Sequence, residues 1–147
     1  MGLNSIFDDM IGGMSKEEAF IAILSAAVLI DGEADGRETE EIDALIRRTR
    51  TLSPLKPNEV SAFKDKIAPR LAKDKINDLL MDACASLKQE KPDVALSLFA
   101  HCCDLVFADH HVRNDERTFL QTLIRELSIP ETDAEMILRA MKAKNAH

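Results

Sequence analysis

Two stretches of this chain, residues 20–30 and 94–108, are apolar on nearly every face of a helix, and this restricts the possible folds more than any other feature. In the first, Phe20, Ile21, Ile23, Leu24, Val28, Leu29 and Ile30 leave no polar side to turn toward water, so the helix belongs inside a bundle. Neither stretch reaches the roughly 18–20 apolar residues that cross a bilayer, so protein must bury them. Around them apolar residues recur at intervals of three and four, as in Ile42, Leu45 and Ile46, in Val60, Phe63 and Ile67, and in Leu120, Leu123, Ile124 and Leu127. That is the period of a helix, and no segment alternates convincingly as a strand would. The pattern predicts an all-α fold: one helical bundle of about seven helices, with two buried central ones wrapped by amphipathic neighbours.

Local chemistry marks the helix ends. A short helix over Leu3 to Met10 is expected to stop at the Gly12–Gly13 pair. Ser15 and Glu18 have the spacing of a capping box, which opens a helix from Lys16 to about Ile30. Asp31 and Gly32 end it, and Asp35 with Glu38 form a second capping box for a helix fading near Arg50. Pro54 and Pro57 cannot both lie inside a helix, so Ser53 to Pro57 is a loop. Pro69 interrupts the next helix, another begins near Asp74, and Pro92 and Pro130 open helices where a missing N–H costs nothing.

The length of 147 residues fits one domain, able to bury roughly 68–70% of its unfolded surface without a metal or disulfide staple. With 19 basic and 26 acidic residues the net charge is −7, which disfavours nucleic acid and anionic membranes as partners. Six Phe with no Trp or Tyr require an aliphatic core. Cys84, Cys102 and Cys103 are odd in number and two are adjacent, so buried thiols in a reducing compartment are expected rather than disulfides or a zinc site. No signal peptide is legible, and Ile6 stands where a myristoylation motif needs Ser or Thr, so the expected location is cytoplasmic. No phosphate loop, nucleophile elbow or H-E-x-x-H motif is present, which predicts a protein that is not an enzyme.

Laying Asp31 over Asp109, an offset of 78 residues, keeps register without a gap on both sides. Phe20 meets Leu98, Leu24 meets Cys102, Glu38 meets Glu116, Ile46 meets Ile124 and Arg47 meets Arg125. Apolar matches are expected of any two helical hairpins; the identical Asp, Glu, Ile and Arg positions are less so. The expectation is an internal pseudo-duplication of residues 16–50 and 94–128. A hydrophobic helix ending in Asp31-Gly32-Glu33, with Glu38 seven residues after the Asp, is repeated at Asp109 and Glu116 ahead of Leu127-Ser128-Ile129-Pro130. This resembles the TerB-like family associated with tellurite resistance, whose fold is also found in the N-terminal part of membrane-anchored DnaJ-type co-chaperones. The resemblance spans roughly Lys16 to Met141. In the second copy His110 replaces the usual Gly and His111 the usual acidic residue, and the His-Pro-Asp signature of a J-domain is absent.

The acidic turns are the candidate functional residues. Asp31, Glu33, Asp35, Glu38 and Glu41 fall within eleven residues, and hard divalent ions need several such oxygens together. The start echoes an EF-hand loop, but Ile42 holds the twelfth position, which excludes one. TerB-like proteins are thought to bind metal through such clusters, so the resemblance implies a divalent ion, Ca, Mg, Mn or Zn, on Asp31, Glu33, Glu38, Asp109 and Glu116. Asp35 and Glu38 also have a structural reading, since both suit a helix N-terminus, whereas Asp31 and Asp109 sit at helix C-termini, where the macrodipole disfavours them. The partners to be expected are the cation, other stress-resistance proteins and a second copy of the chain. The alternative is an interaction module whose acidic surface docks a basic protein without metal.

Overall fold

The computed structural model describes residues 13–31, 38–108 and 111–147. Among them lie seven α-helices, one 3-10 turn and no strand. The helices are α1 (Lys16–Asp31), α2 (Glu38–Arg48), α3 (Pro57–Ile67), α4 (Ile76–Leu87), α5 (Pro92–Phe107), α6 (Asn114–Glu126) and α7 (Glu131–Lys144), with the 3-10 turn at Ala68–Leu71. The expected helix at Leu3 to Met10 and the Asp35 side of the second capping box lie outside the described residues.

The all-round apolar helix α1 is the axle of the bundle. It packs against α2, α3, α4, α5 and α6, and from Ala19 to Val28 its residues, Ser25 included, are buried. Burying each of Phe20, Ile21, Ile23, Leu24 and Val28 contributes about 1.5–3 kcal/mol, the main reason the helix sits where it does. The second apolar helix, α5, is less enclosed. Leu98, Phe99, Cys102, Cys103 and Val106 are buried, but Pro92, Asp93 and Ser97 are exposed. α7 closes that side by packing on α5, and Lys144 and Asn145 donate to Asp104 at 2.9 and 2.8 Å.

Helix ends follow the local chemistry closely. Ser15 Oγ accepts from the Glu18 N–H at 3.1 Å, the first arm of the expected cap. Pro57 and Pro92 occupy first-turn positions, and Pro69 falls in the 3-10 turn that ends α3. α2 stops at Arg48 rather than Arg50; the buried Thr49 folds back, its hydroxyl donating to the Leu45 carbonyl at 2.6 Å. The Leu127-Ser128-Ile129-Pro130 phrase is a Schellman closure. Ser128 takes a left-handed φ of 54°, its N–H bonds Arg125 O, and Ile129 N–H reaches Ile124 O at 3.0 Å. Ile129 is thereby buried and Pro130 starts α7.

Candidate functional site

The C-terminal end of α1 and the N-terminal end of α6 meet at one corner of the bundle. The last carbonyls of a helix have no intrahelical partner, and the first N–H groups of a helix have none either. Arg113, the N-cap residue of α6, serves both ends: its guanidinium donates to the Ile30 carbonyl, and its backbone N–H donates to Glu116 Oε1 at 3.0 Å. Its Nε also lies 3.5 Å from both Glu116 Oε1 and Asp115 Oδ1. A cation beside the end of α1 and a carboxylate in the first turn of α6 both suit the helix dipoles.

Glu116 is fully buried, at 0% exposure. Its Oε1 is occupied by Arg113, but its Oε2 is buried and has no hydrogen-bond partner among the described residues. An acceptor left in that condition costs roughly 1–3 kcal/mol, more when charged. The sequence pointed to Glu116 as a ligand without signalling its burial or the Arg113 link.

The remaining candidates divide as follows. Asp31 is the last residue of α1, adjoining the Ile30 carbonyl that Arg113 holds, and Glu38 is the first residue of α2. Glu33 and Asp109 lie outside the described residues. The structure thus brings the end of α1 and Glu116 to the same corner. Among the described residues no group of three or more His, Cys, Asp or Glu side chains is arranged to hold a metal.

Leu29 and Val112 each precede one partner of the Arg113–Ile30 link, and they are 39% and 44% exposed. A shallow groove of about 300 Å³ between α2 and α3, lined by Asp43, Ile46, Leu52, Val60 and Lys64, and another of about 230 Å³ beside the Schellman turn contain none of the candidate residues.

The thiols are core groups. Cys84, Cys102 and Cys103 are free and buried. Burial pushes Cys84 and Cys103 up to about 12 and Cys102 well above the ordinary thiol value. They are therefore poor nucleophiles and poor metal ligands. His101 is held below the usual imidazole value by burial and by Arg48, against the opposite pull of Asp104. Burial would raise the Asp104 carboxyl, but the bonds from Asn145 and Lys144, with the charges of Lys144 and Arg48, hold it below its ordinary value.

No helix among the described residues is long and apolar enough to cross a membrane. No curated protein and no solved structure matches the chain significantly. The family model of the tellurite resistance protein TerB does match, over residues 17–139, from the first turn of α1 into α7 and including both acidic turns. This chain therefore belongs to the TerB family and is a tellurite-resistance-associated domain.

Proposed function

We propose that this domain is a non-catalytic cytoplasmic stress-response protein that binds a divalent cation at the corner where α1 meets α6. Glu116 and the acidic residues of the two turns, Asp31, Glu33, Glu38 and Asp109, would supply the ligands. The observation that carries this reading is the fully buried Glu116 Oε2, which has no partner among the described residues, because a bound cation would satisfy such an open acceptor. The donors are carboxylate oxygens, which suit Ca²⁺, Mg²⁺ or Mn²⁺. Such an ion would supply positive charge that holds the ends of the two hairpins together. The pseudo-duplication belongs to the same reading: an acidic hairpin turn present twice, at an offset of 78 residues, gives a paired site.

Thermal melting in EDTA and then with each of Ca²⁺, Mg²⁺, Mn²⁺ and Zn²⁺ tests it. An ion at about 100 times its Kd adds about 2.7 kcal/mol to stability and raises the midpoint by several degrees. The double variant Asp31→Asn, Asp109→Asn is expected to lose that rise. No rise with any ion at millimolar concentration would overturn the proposal. The second reading, a protein-interaction module with an acidic surface for a basic partner, draws on the exposed Leu29 and Val112, each next in sequence to one partner of the Arg113–Ile30 link.

A further inference from the structure

The offset of 78 residues places Arg113 where the first copy has Asp35, so one turn carries a carboxylate at the position where the other carries a guanidinium. That guanidinium is engaged on three acceptors of the corner: the Ile30 carbonyl, Asp115 and Glu116 Oε1. It is half exposed, at 49%, so it can swing into water without unpacking the core. Glu116, by contrast, is locked at 0% exposure.

We propose that Arg113 is the built-in counter-ion of this corner: it fastens α6 to the end of α1 in the ion-free protein and competes with a divalent cation for the same carboxylates. This rests on the cation reading above and adds its regulation. A divalent ion on Glu116 Oε2 stands one carboxylate width from the group that Arg113 contacts. Two positive groups that close repel strongly in a partly buried site. Ion binding therefore releases Arg113 from the Ile30 carbonyl, and the Ile30 link in turn weakens ion binding by the same factor. The exposed Leu29 and Val112 flank this link, so its release alters the apolar surface beside the corner.

The test is calorimetric titration of Ca²⁺ and of Mg²⁺ into wild type, Arg113→Gln and Arg113→Lys, with helix content checked by far-ultraviolet circular dichroism. Arg113→Gln removes the competing charge and is expected to tighten ion binding about tenfold, within the usual range of site coupling. Arg113→Lys keeps the charge and is expected to bind within about twofold of wild type. Binding by Arg113→Gln alone overturns the proposal together with the cation reading, since the wild type then holds no ion that could release the guanidinium. Wild-type binding with Arg113→Gln unchanged or weaker overturns the competition and leaves the cation reading intact. No binding by either protein overturns both. Should Arg113→Gln fail to fold, the wild type still decides: the Arg113 Nε–H resonance must move as the ion is titrated, and a stationary signal in an ion-bound protein overturns the proposal.

Discussion

The two ends of α1 each border a buried glutamate with a solvent-reaching basic side chain beside it, and they differ in which carboxylate oxygen that cation addresses. At the first end Glu18 is 2% exposed, and its Oε1 lacks an aligned hydrogen-bond donor among the described residues, yet Lys66 Nζ lies 3.1 Å from that same oxygen. At the other end Arg113 contacts Glu116 Oε1, and the orphan is Oε2. The first arrangement is electrostatically complete and joins α1 to α3. The second keeps an acceptor in reserve. Two buried acids of the same type on the same bundle thus separate into a structural ion pair and a candidate binding group through the placement of one charge.

The comparison assumes that both ends hang on one rigid helix, and the most severe way to break it is to hollow out the middle. Leu24 is fully buried. Leu24→Ala is expected to cost about 2–5 kcal/mol, read from urea denaturation by circular dichroism because the chain has no Trp or Tyr. One cooperative transition is expected; two would mean that the ends are independent units. The core thiols give a second route. Their folded pKa is raised from 9.0, to about 12 for Cys84 and Cys103, so the unfolded chain loses thiol protons first as pH rises. Stability is full below pH 9 and falls above it, by up to about 1.4 kcal/mol per pH unit for each thiol. Cys84→Ala with Cys103→Ala should flatten that alkaline decline; an undiminished slope would assign it elsewhere.

Substituting each acid by its amide then separates the two ends. Glu18→Gln removes the charge facing Lys66 and is expected to lower stability by about 0.5–1 kcal/mol, modest because Lys66 is largely exposed. It should leave any ion-induced rise in melting temperature untouched. Glu116→Gln keeps an acceptor for the Arg113 N–H and replaces the orphan oxygen, so the ion-free protein should stay within about 0.5 kcal/mol of wild type. The ion-induced rise should vanish. Equal losses of stability without any effect on ion response would make both glutamates structural.

How much of this the sequence discloses depends on the range of the interaction. Ser15, Pro57, Pro92 and Pro130 mark helix starts because capping involves neighbours three or four residues away, and the all-round apolar run of α1 reveals a buried helix by itself. The all-α architecture follows from those signals. The shift of a helix start from Asp74 to Ile76 reflects the usual uncertainty of termini. The partial exposure of α5 depends on which helices cover it, and periodicity is silent on that. Glu116 was visible as a member of a repeated pattern, but its burial arises from packing across the bundle. The Arg113–Ile30 link joins residues 83 apart, so no local motif announces it. The one sequence signal available was that the 78-residue offset lays Arg113 over Asp35, a reversal of charge.

The smallest predicted effect examines how far the first hairpin acts on the second away from the corner. Arg48, the last residue of α2, lowers the imidazole of His101 and the carboxyl of Asp104, both on α5. His101 is held below its ordinary 6.5, so its contribution to stability is complete above that pH and diminishes as pH falls through the folded value. Asp104 is held below its ordinary 3.8 and likewise contributes above that value and loses its contribution on further acidification. Both groups therefore make the protein weaker in acid. Replacing Arg48 by Met removes a positive charge while keeping a long apolar stem, so His101 should titrate at a higher pH, still below 6.5 because its burial persists. A proton NMR titration of the histidine rings measures this directly. Upward movement of His101 would show that the two hairpins communicate along α5 as well as through Arg113, whereas an unmoved His101 would leave the corner as their electrostatic junction among the groups named here.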